Sequence, residues 1–262
     1  MPARGRFRSG KCRTWRNRGA HIVAAKGTVI VSGAGKGIGA AIVKAFLDRN
    51  YNVVANSLTF SETDLRASST LALVDGDVGK PETASRATET AVGRFGSIDH
   101  LVNNAGIFTT RSFTDYTIDD FHRFSAVNIE GFILMTQQAV KQMLTQGSGG
   151  SVTTITAALV DNPIEGVPAS IPMITKGGLN AVTLSLASEY AKRKIRFNAV
   201  APGVVDTPMH RETPRDMMQA LTPMGIVSEA QDIADAVVYL AEARYVTGEV
   251  LHVDGGAHAG RW

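Results

Sequence analysis

Seven short runs of apolar, largely β-branched residues recur along the chain, and helical patterns separate most of them. The runs are Thr28–Ser32, Asn52–Ala55, Leu71–Val74, His100–Asn103, Ser151–Thr156, Ile195–Val200 and Glu249–Val253. Ile38–Arg49 reads as a helix with Ile42, Phe46 and Leu47 on one face, and Pro81–Arg94 as one that opens on a proline suited to a first turn. Ile118–Leu144 carries one long helix or a broken one, and Pro172–Ala191 and Ala230–Ala241 are helical. Strands that are apolar throughout need cover on both faces, which strand–helix alternation supplies around a parallel sheet. The expected fold is α/β: a Rossmann-type doubly wound parallel sheet of about seven strands with helices on both faces. Such sheets bind ligands at the carboxyl ends of their strands, where the strand order reverses.

The chain has 262 residues, and we read 26–262 as a single domain. The net charge of +3 belongs to the beginning of the chain. Residues 1–25 hold seven basic side chains (Arg4, Arg6, Arg8, Lys11, Arg13, Arg16 and Arg18) and no acid. Without them 20 basic residues face 24 acidic ones, which argues against nucleic-acid binding by the domain. The first 25 residues read as a basic, disordered extension or a misassigned start, with an organelle address or a nucleic-acid arm as the alternatives. The one cysteine, Cys12, lies there, so no intrachain disulfide is expected and a reducing cytoplasm is the default location. No apolar run approaches the roughly 18 residues of a membrane span.

The strongest local signal is Ser32-Gly33-Ala34-Gly35-Lys36-Gly37-Ile38-Gly39, between a strand and a helix. Bare glycines let the backbone approach a pyrophosphate, and a helix N-terminus offers it free N–H groups. The alternative is a tight structural turn. Asn103-Asn104-Ala105-Gly106, Pro202-Gly203 with Thr207, and Asp254-Gly255-Gly256 all follow other strands, where a cofactor would lie.

With these motifs in their order and spacing, the chain resembles the short-chain dehydrogenase/reductase family from about residue 26 to 258. The resemblance implies a dinucleotide held by Ser32, Gly33, Gly35, Lys36, Gly37, Ile38 and Gly39. Asp77 and Val78 would meet the adenine, the Asn104–Gly106 backbone (Asn104, Ala105, Gly106) the adenosine, and Pro202, Gly203, Val205 and Thr207 the nicotinamide end. An acid at the end of the second strand would favour NAD by holding the ribose 2′-hydroxyl. Here that strand runs into Asn56, Ser57 and Leu58, with no acid before Glu62. Ser57 and Lys36 could hold a 2′-phosphate, so NADP is favoured. The alternative is NAD, with Asn56 on the ribose and Lys36 a solvated loop residue.

In that family a Tyr-x-x-x-Lys pair on one helix face delivers the proton, a serine holds the carbonyl and an asparagine organises a water relay. Lys176 and Asn128 match the lysine and the asparagine. Pro172 stands where the tyrosine should be, Ala157 where the serine should be, and Thr156 offers a substitute hydroxyl. Other candidate acids are Asp161, Glu165, Ser170 and His210, each more simply a solvated loop residue. Lys176 would also hold the nicotinamide ribose.

Thr207–Pro223 reads as a substrate lid carrying Met209, Met217 and Met218, with Met224 just past it. Flexible thioethers suit an apolar substrate, or simply pack the lid. No HExxH motif or Cys/His cluster calls for a metal. The leading expectation is an oxidoreductase moving a hydride between NADP(H) or NAD(H) and a carbonyl or alcohol, with atypical proton delivery. The alternative is a catalytically silent dinucleotide-binding protein. By analogy with the family, a homodimer or homotetramer would form through the long helices.

Overall fold

The computed structural model describes residues 25–61 and 63–260, so the basic extension lies almost wholly outside the described residues. The elements run β1 (Thr28–Val31), α1 (Gly37–Asp48), β2 (Asn52–Ser57), β3 (Leu71–Asp75), α2 (Pro81–Phe95) and β4 (His100–Asn103). There follow α3 (Ile118–Phe124), a π-helical stretch at Ser125–Glu130, α4 (Gly131–Gln146), β5 (Gly150–Ile155), α5 (Ser170–Tyr190) and β6 (Ile195–Pro202). The chain closes with β7 (Val205–Asp206), α6 (Arg215–Ala220), β8 (Ser228–Glu229), α7 (Ala230–Glu242) and β9 (Val250–Val253).

Seven strands form one parallel sheet in the order β3-β2-β1-β4-β5-β6-β9. Alternation along each strand divides its side chains between two cores. Val29, Val31, Val53 and Ala55 face α1 and α7 with Phe46 and Val237. Ile30, Val54, Leu101 and Val152 face the other way, against Ala87, Met135 and Met143 of α2 and α4. Burial on both faces explains why apolar residues stand at successive positions in Val29–Val31 and Val53–Ala55.

The structure sharpens several sequence expectations. The second strand reaches Ser57 and the sixth reaches Pro202, because parallel neighbours pair to those points. The segment 118–146 is broken: α3 starts in a capping box between Thr117 and Asp120, and the π-helical stretch offsets it from α4. Helix α5 begins two residues before Pro172. Proline at its third position is tolerated because first-turn amides have no intrahelical partner. The short β7–β8 pair went unforeseen, since two-residue strands carry no periodic signal.

One packed polar group yields a pH prediction. His100 stacks on Phe46 and edges Tyr51, and its Nδ1 lies 2.7 Å from Ser151 Oγ. Burial lowers its pKa to about 4, against the pull of Asp99. The fold therefore binds a proton there less readily than the unfolded chain does. Stability should fall as pH drops from about 6.5 to about 4, by up to roughly 3 kcal/mol. Urea titrations across that window should show a flatter slope for His100→Phe.

Candidate active site

The strand order reverses between β1 and β4, and the loops following these two strands face each other across that crevice. Gly33 and Gly37 have φ of 65° and 54°, the left-handed region that glycine enters freely. A Cβ placed on Gly39 would stand 2.1 Å from the Gly33 carbonyl oxygen, and one on Gly33 would stand 2.7 Å from Ala105 Cα. Asn104 ties the two loops, its Nδ2 donating to the carbonyls of Ser32 and Gly33. Ser32 Oγ accepts from the amides of Asn104 and Ala105. Ile38 packs into the core behind the loop and anchors the first turn of α1.

Lys36, exposed and extended, precedes α1 as its N-cap without a side-chain cap bond, and the Lys36 carbonyl accepts from the Ala40 N–H. The amides of Gly37, Ile38 and Gly39 thus point outward as an anion cradle. A Cβ on Gly37 would stand 3.4 Å from Thr207 Cβ, so the segment after β6 closes on the same cradle. Pro202 ends β6, Gly203 packs on Asp254, and Val205 is buried in β7. These features fit a dinucleotide pyrophosphate.

Ser57 lies against the loop, where its Oγ would be 2.6 Å from a Cβ on Gly35. Asn56, by contrast, is fully buried, and its Nδ2 donates to the carbonyls of Val74 and Gly76. The donor side of that amide joins β2 to β3, while Asn56 Oδ1 is buried with no hydrogen-bond partner among the described residues. Asp77 accepts from the Gly79 amide in a local turn, and Val78 packs on Gly131.

Lys176 and Asn128 are brought together, although 48 residues apart. Both are buried, at 7 % and 2 % exposure. A Cβ on Gly106 would stand 3.1 Å from Lys176 Nζ and 3.3 Å from Asn128 Oδ1. Lys176 Nζ donates to the Ile155 carbonyl at 2.8 Å, and burial lowers its pKa to about 8. Asn128 grips the main chain of Ile107 through both amide atoms, and its Nδ2 also donates to Thr175 Oγ1. Thr175, which the sequence reading missed, donates in turn to the Pro172 carbonyl.

The substitute hydroxyl does not stand free. Thr156 is buried, and its hydroxyl faces the Val200 carbonyl at 3.3 Å. Thr156 lies just past the end of β5, with its hydroxyl turned toward β6. Of the other candidates, Glu165 is exposed, and His210 ends a single turn with its pKa lowered by burial. Ser170 is no loop residue but the first of α5. Asp161 pairs with His252, a partner 91 residues away that no sequence spacing announced. Tyr51 hydrogen-bonds Glu242, Tyr116 hydrogen-bonds the Thr109 carbonyl and Tyr190 packs on Phe197, so these phenols are engaged elsewhere.

Residues 33–258 match the family model described as Enoyl-(Acyl carrier protein) reductase. The chain belongs to the short-chain dehydrogenase/reductase family. It is 34% identical over 248 residues to an L-rhamnose 1-dehydrogenase (NAD(P)(+)) of Sphingomonas sp., covering 88% of this chain and 96% of that protein. It is 38% identical over 248 residues to a 3alpha-hydroxysteroid dehydrogenase of Mediterraneibacter gnavus, with 88% and 96% covered. A 3-ketoacyl-(acyl-carrier-protein) reductase of Brucella melitensis, solved with NADH, superimposes with a TM-score of 0.83 at 28% identity. That match covers 89% of this chain and 99% of the other. This short-chain dehydrogenase/reductase is therefore an NAD(P)-dependent oxidoreductase, in keeping with the glycine cradle and its Asn104 tie. Among the described residues no helix is long and apolar enough to cross a membrane.

Proposed function

We propose that this enzyme interconverts an apolar carbonyl compound and its alcohol with NADP(H) in preference to NAD(H), Lys176 exchanging the proton in place of a tyrosine. The single observation that carries the reading is Lys176 Nζ, buried beside Gly106 and, among the described residues, hydrogen-bonded only to a main-chain carbonyl. The bound dinucleotide supplies or accepts the hydride. In reduction a C–H and an O–H bond form. The substrate oxygen takes its proton from Lys176, whose N–H breaks and is restored from solvent. Pro172 has no proton to give, Ala157 has no hydroxyl, and Thr156 and Thr175 face main-chain carbonyls. Asn128 shapes the site by holding the Ile107 main chain beneath it.

Met209 and Met217 in the lid, and Met224 and Ile226 just past it, are each more than half exposed, which supports the apolar character. Exposed Ile133 and Leu144 on α4, and Ile174 and Leu184 on α5, support a homodimer or homotetramer built through those helices. A reducing cytoplasm suits a chain whose one cysteine is Cys12.

The test is oxidation of NADPH and NADH against ketones of graded size and polarity. Turnover with NADPH and a long aliphatic ketone is expected; tight NADPH binding without turnover would instead mark a silent binder. Ser57→Asp should reverse the preference, because a carboxylate repels a 2′-phosphate and accepts from a ribose hydroxyl. Fluorescence titration should show NADPH weakened at least tenfold, about 1.4 kcal/mol, with NADH held or tightened.

A further inference from the structure

The loop between β5 and α5, residues 156–169, is tied to the end of the chain. Asp161 Oδ2 lies 2.8 Å from His252 Nε2, and Asn162 Nδ2 donates to the Ala257 carbonyl. The His252 ring stacks on His258, with centroids 3.9 Å apart and planes within 19°. His258 Nδ1 lies 2.9 Å from Asp254 Oδ2. Asp254 is held in turn by the amides of Gly256 and His258, and its side chain is only 2 % exposed.

The same terminal segment touches the end of the lid. A Cβ on Gly255 would stand 3.6 Å from Thr222 Cβ and 3.7 Å from Met224 Cβ, and one on Gly256 3.7 Å from Pro223. One short stretch of chain therefore contacts both the loop that begins beside Ala157 and the methionine lid. Exposed ion pairs contribute little by themselves. Here a nearly buried carboxylate and a ring stack hold the geometry, and a buried charge persists only when so bonded.

We infer that Asp161, His252, His258 and Asp254 form a clamp that positions the β5–α5 loop against the methionine lid and so sets the size of substrate the cleft accepts. These are positioning residues, since their bonds run among themselves and to the loop, while Lys176 bonds the Ile155 carbonyl. The inference rests on the proposed reading of this cleft as the site of carbonyl chemistry.

The test combines His252→Phe, which keeps the stack and loses the bond, with Asp161→Ala, which loses the acceptor. His252→Gln, which keeps a donor, serves as the rescue. In the cofactor-free protein, amides of residues 157–167 should exchange about tenfold faster in the first two variants and near the natural rate in the third. Amides of β1 and β4 should not change. For a series of methyl ketones, KM should rise about tenfold for the longest members while kcat stays within about twofold, and the double variant should be no worse than either single one. Unchanged loop exchange, acceleration throughout the sheet, additive losses, or a fall in kcat at constant KM would each overturn the clamp. Exchange needs neither substrate nor turnover, so it judges the clamp separately; failure of the natural protein on every ketone would sink the proposed function instead.

Discussion

Lys176→Met is expected to abolish carbonyl reduction while making the fold more stable. General acid catalysis contributes about 10²–10⁴-fold, and kcat should fall by that order. The stability gain comes from burial. Among the described residues Lys176 has no carboxylate partner, and burial lowers its pKa from 10.5 to about 8. At neutral pH the fold holds a charge it disfavours, by up to roughly 3 kcal/mol, and a methionine of similar length removes that penalty. The sign with pH follows. The unfolded chain binds this proton more tightly, so the natural protein gains stability as pH rises from about 8 toward 10.5, whereas Lys176→Met does not. Melts at pH 7 and pH 10 measure the difference directly.

The same group dictates the rate profile. Reduction needs the protonated amine, so its kcat should be flat below about pH 8 and fall above it; alcohol oxidation should rise through the same point. Lys176→Ala should regain activity with small primary amines, in proportion to their basicity. A lysine that merely held the ribose would be replaced without regard to amine pKa. Observation of the Nζ resonance in the cofactor-free protein would locate the titration without any turnover. A resonance titrating near the ordinary lysine value would refute the assignment.

Gly39→Ala is expected to eliminate dinucleotide binding. The added Cβ would stand 2.1 Å from the Gly33 carbonyl oxygen and 2.6 Å from Asn104 Nδ2. Neither can retreat freely. The two are bonded to each other at 2.9 Å, and Asn104 also grips Ser32. Relief would displace the loop after β1 together with the loop after β4, the two walls of the crevice. Overpacking of this kind destabilises by about 1–3 kcal/mol, and affinity should drop at least a hundredfold, about 2.7 kcal/mol. Gly93→Ala is the matching control. It lies exposed in α2 with nothing within 4 Å of the added carbon, and should stabilise by about 0.5–1 kcal/mol without touching affinity. NADPH titration and thermal melts of both variants decide the matter; an undisturbed affinity in Gly39→Ala would mean that the cradle lies elsewhere.

The fold class was legible because its cause is local. Strands buried on both faces favour apolar residues at successive positions, as in Val29–Val31, Val53–Ala55 and Ala199–Ala201. The glycines of residues 33–39 were legible for a similar reason, since a left-handed φ or a close backbone approach excludes other residues from a short stretch. Lys176 and Asn128 could be picked out through family likeness and spacing.

Contacts across long separations were not legible. Nothing in the order of residues shows that Thr156 turns its hydroxyl to β6, that Asn56 is buried between two strands, or that Asp161 meets His252. Those outcomes depend on which strands become neighbours and on the phase of each pleat, where a shift of one residue reverses the face. The lowered pKa of Lys176 belongs to the same class. It arises from desolvation of the amine by the groups packed around it, a property of the assembled interior and of no segment within it.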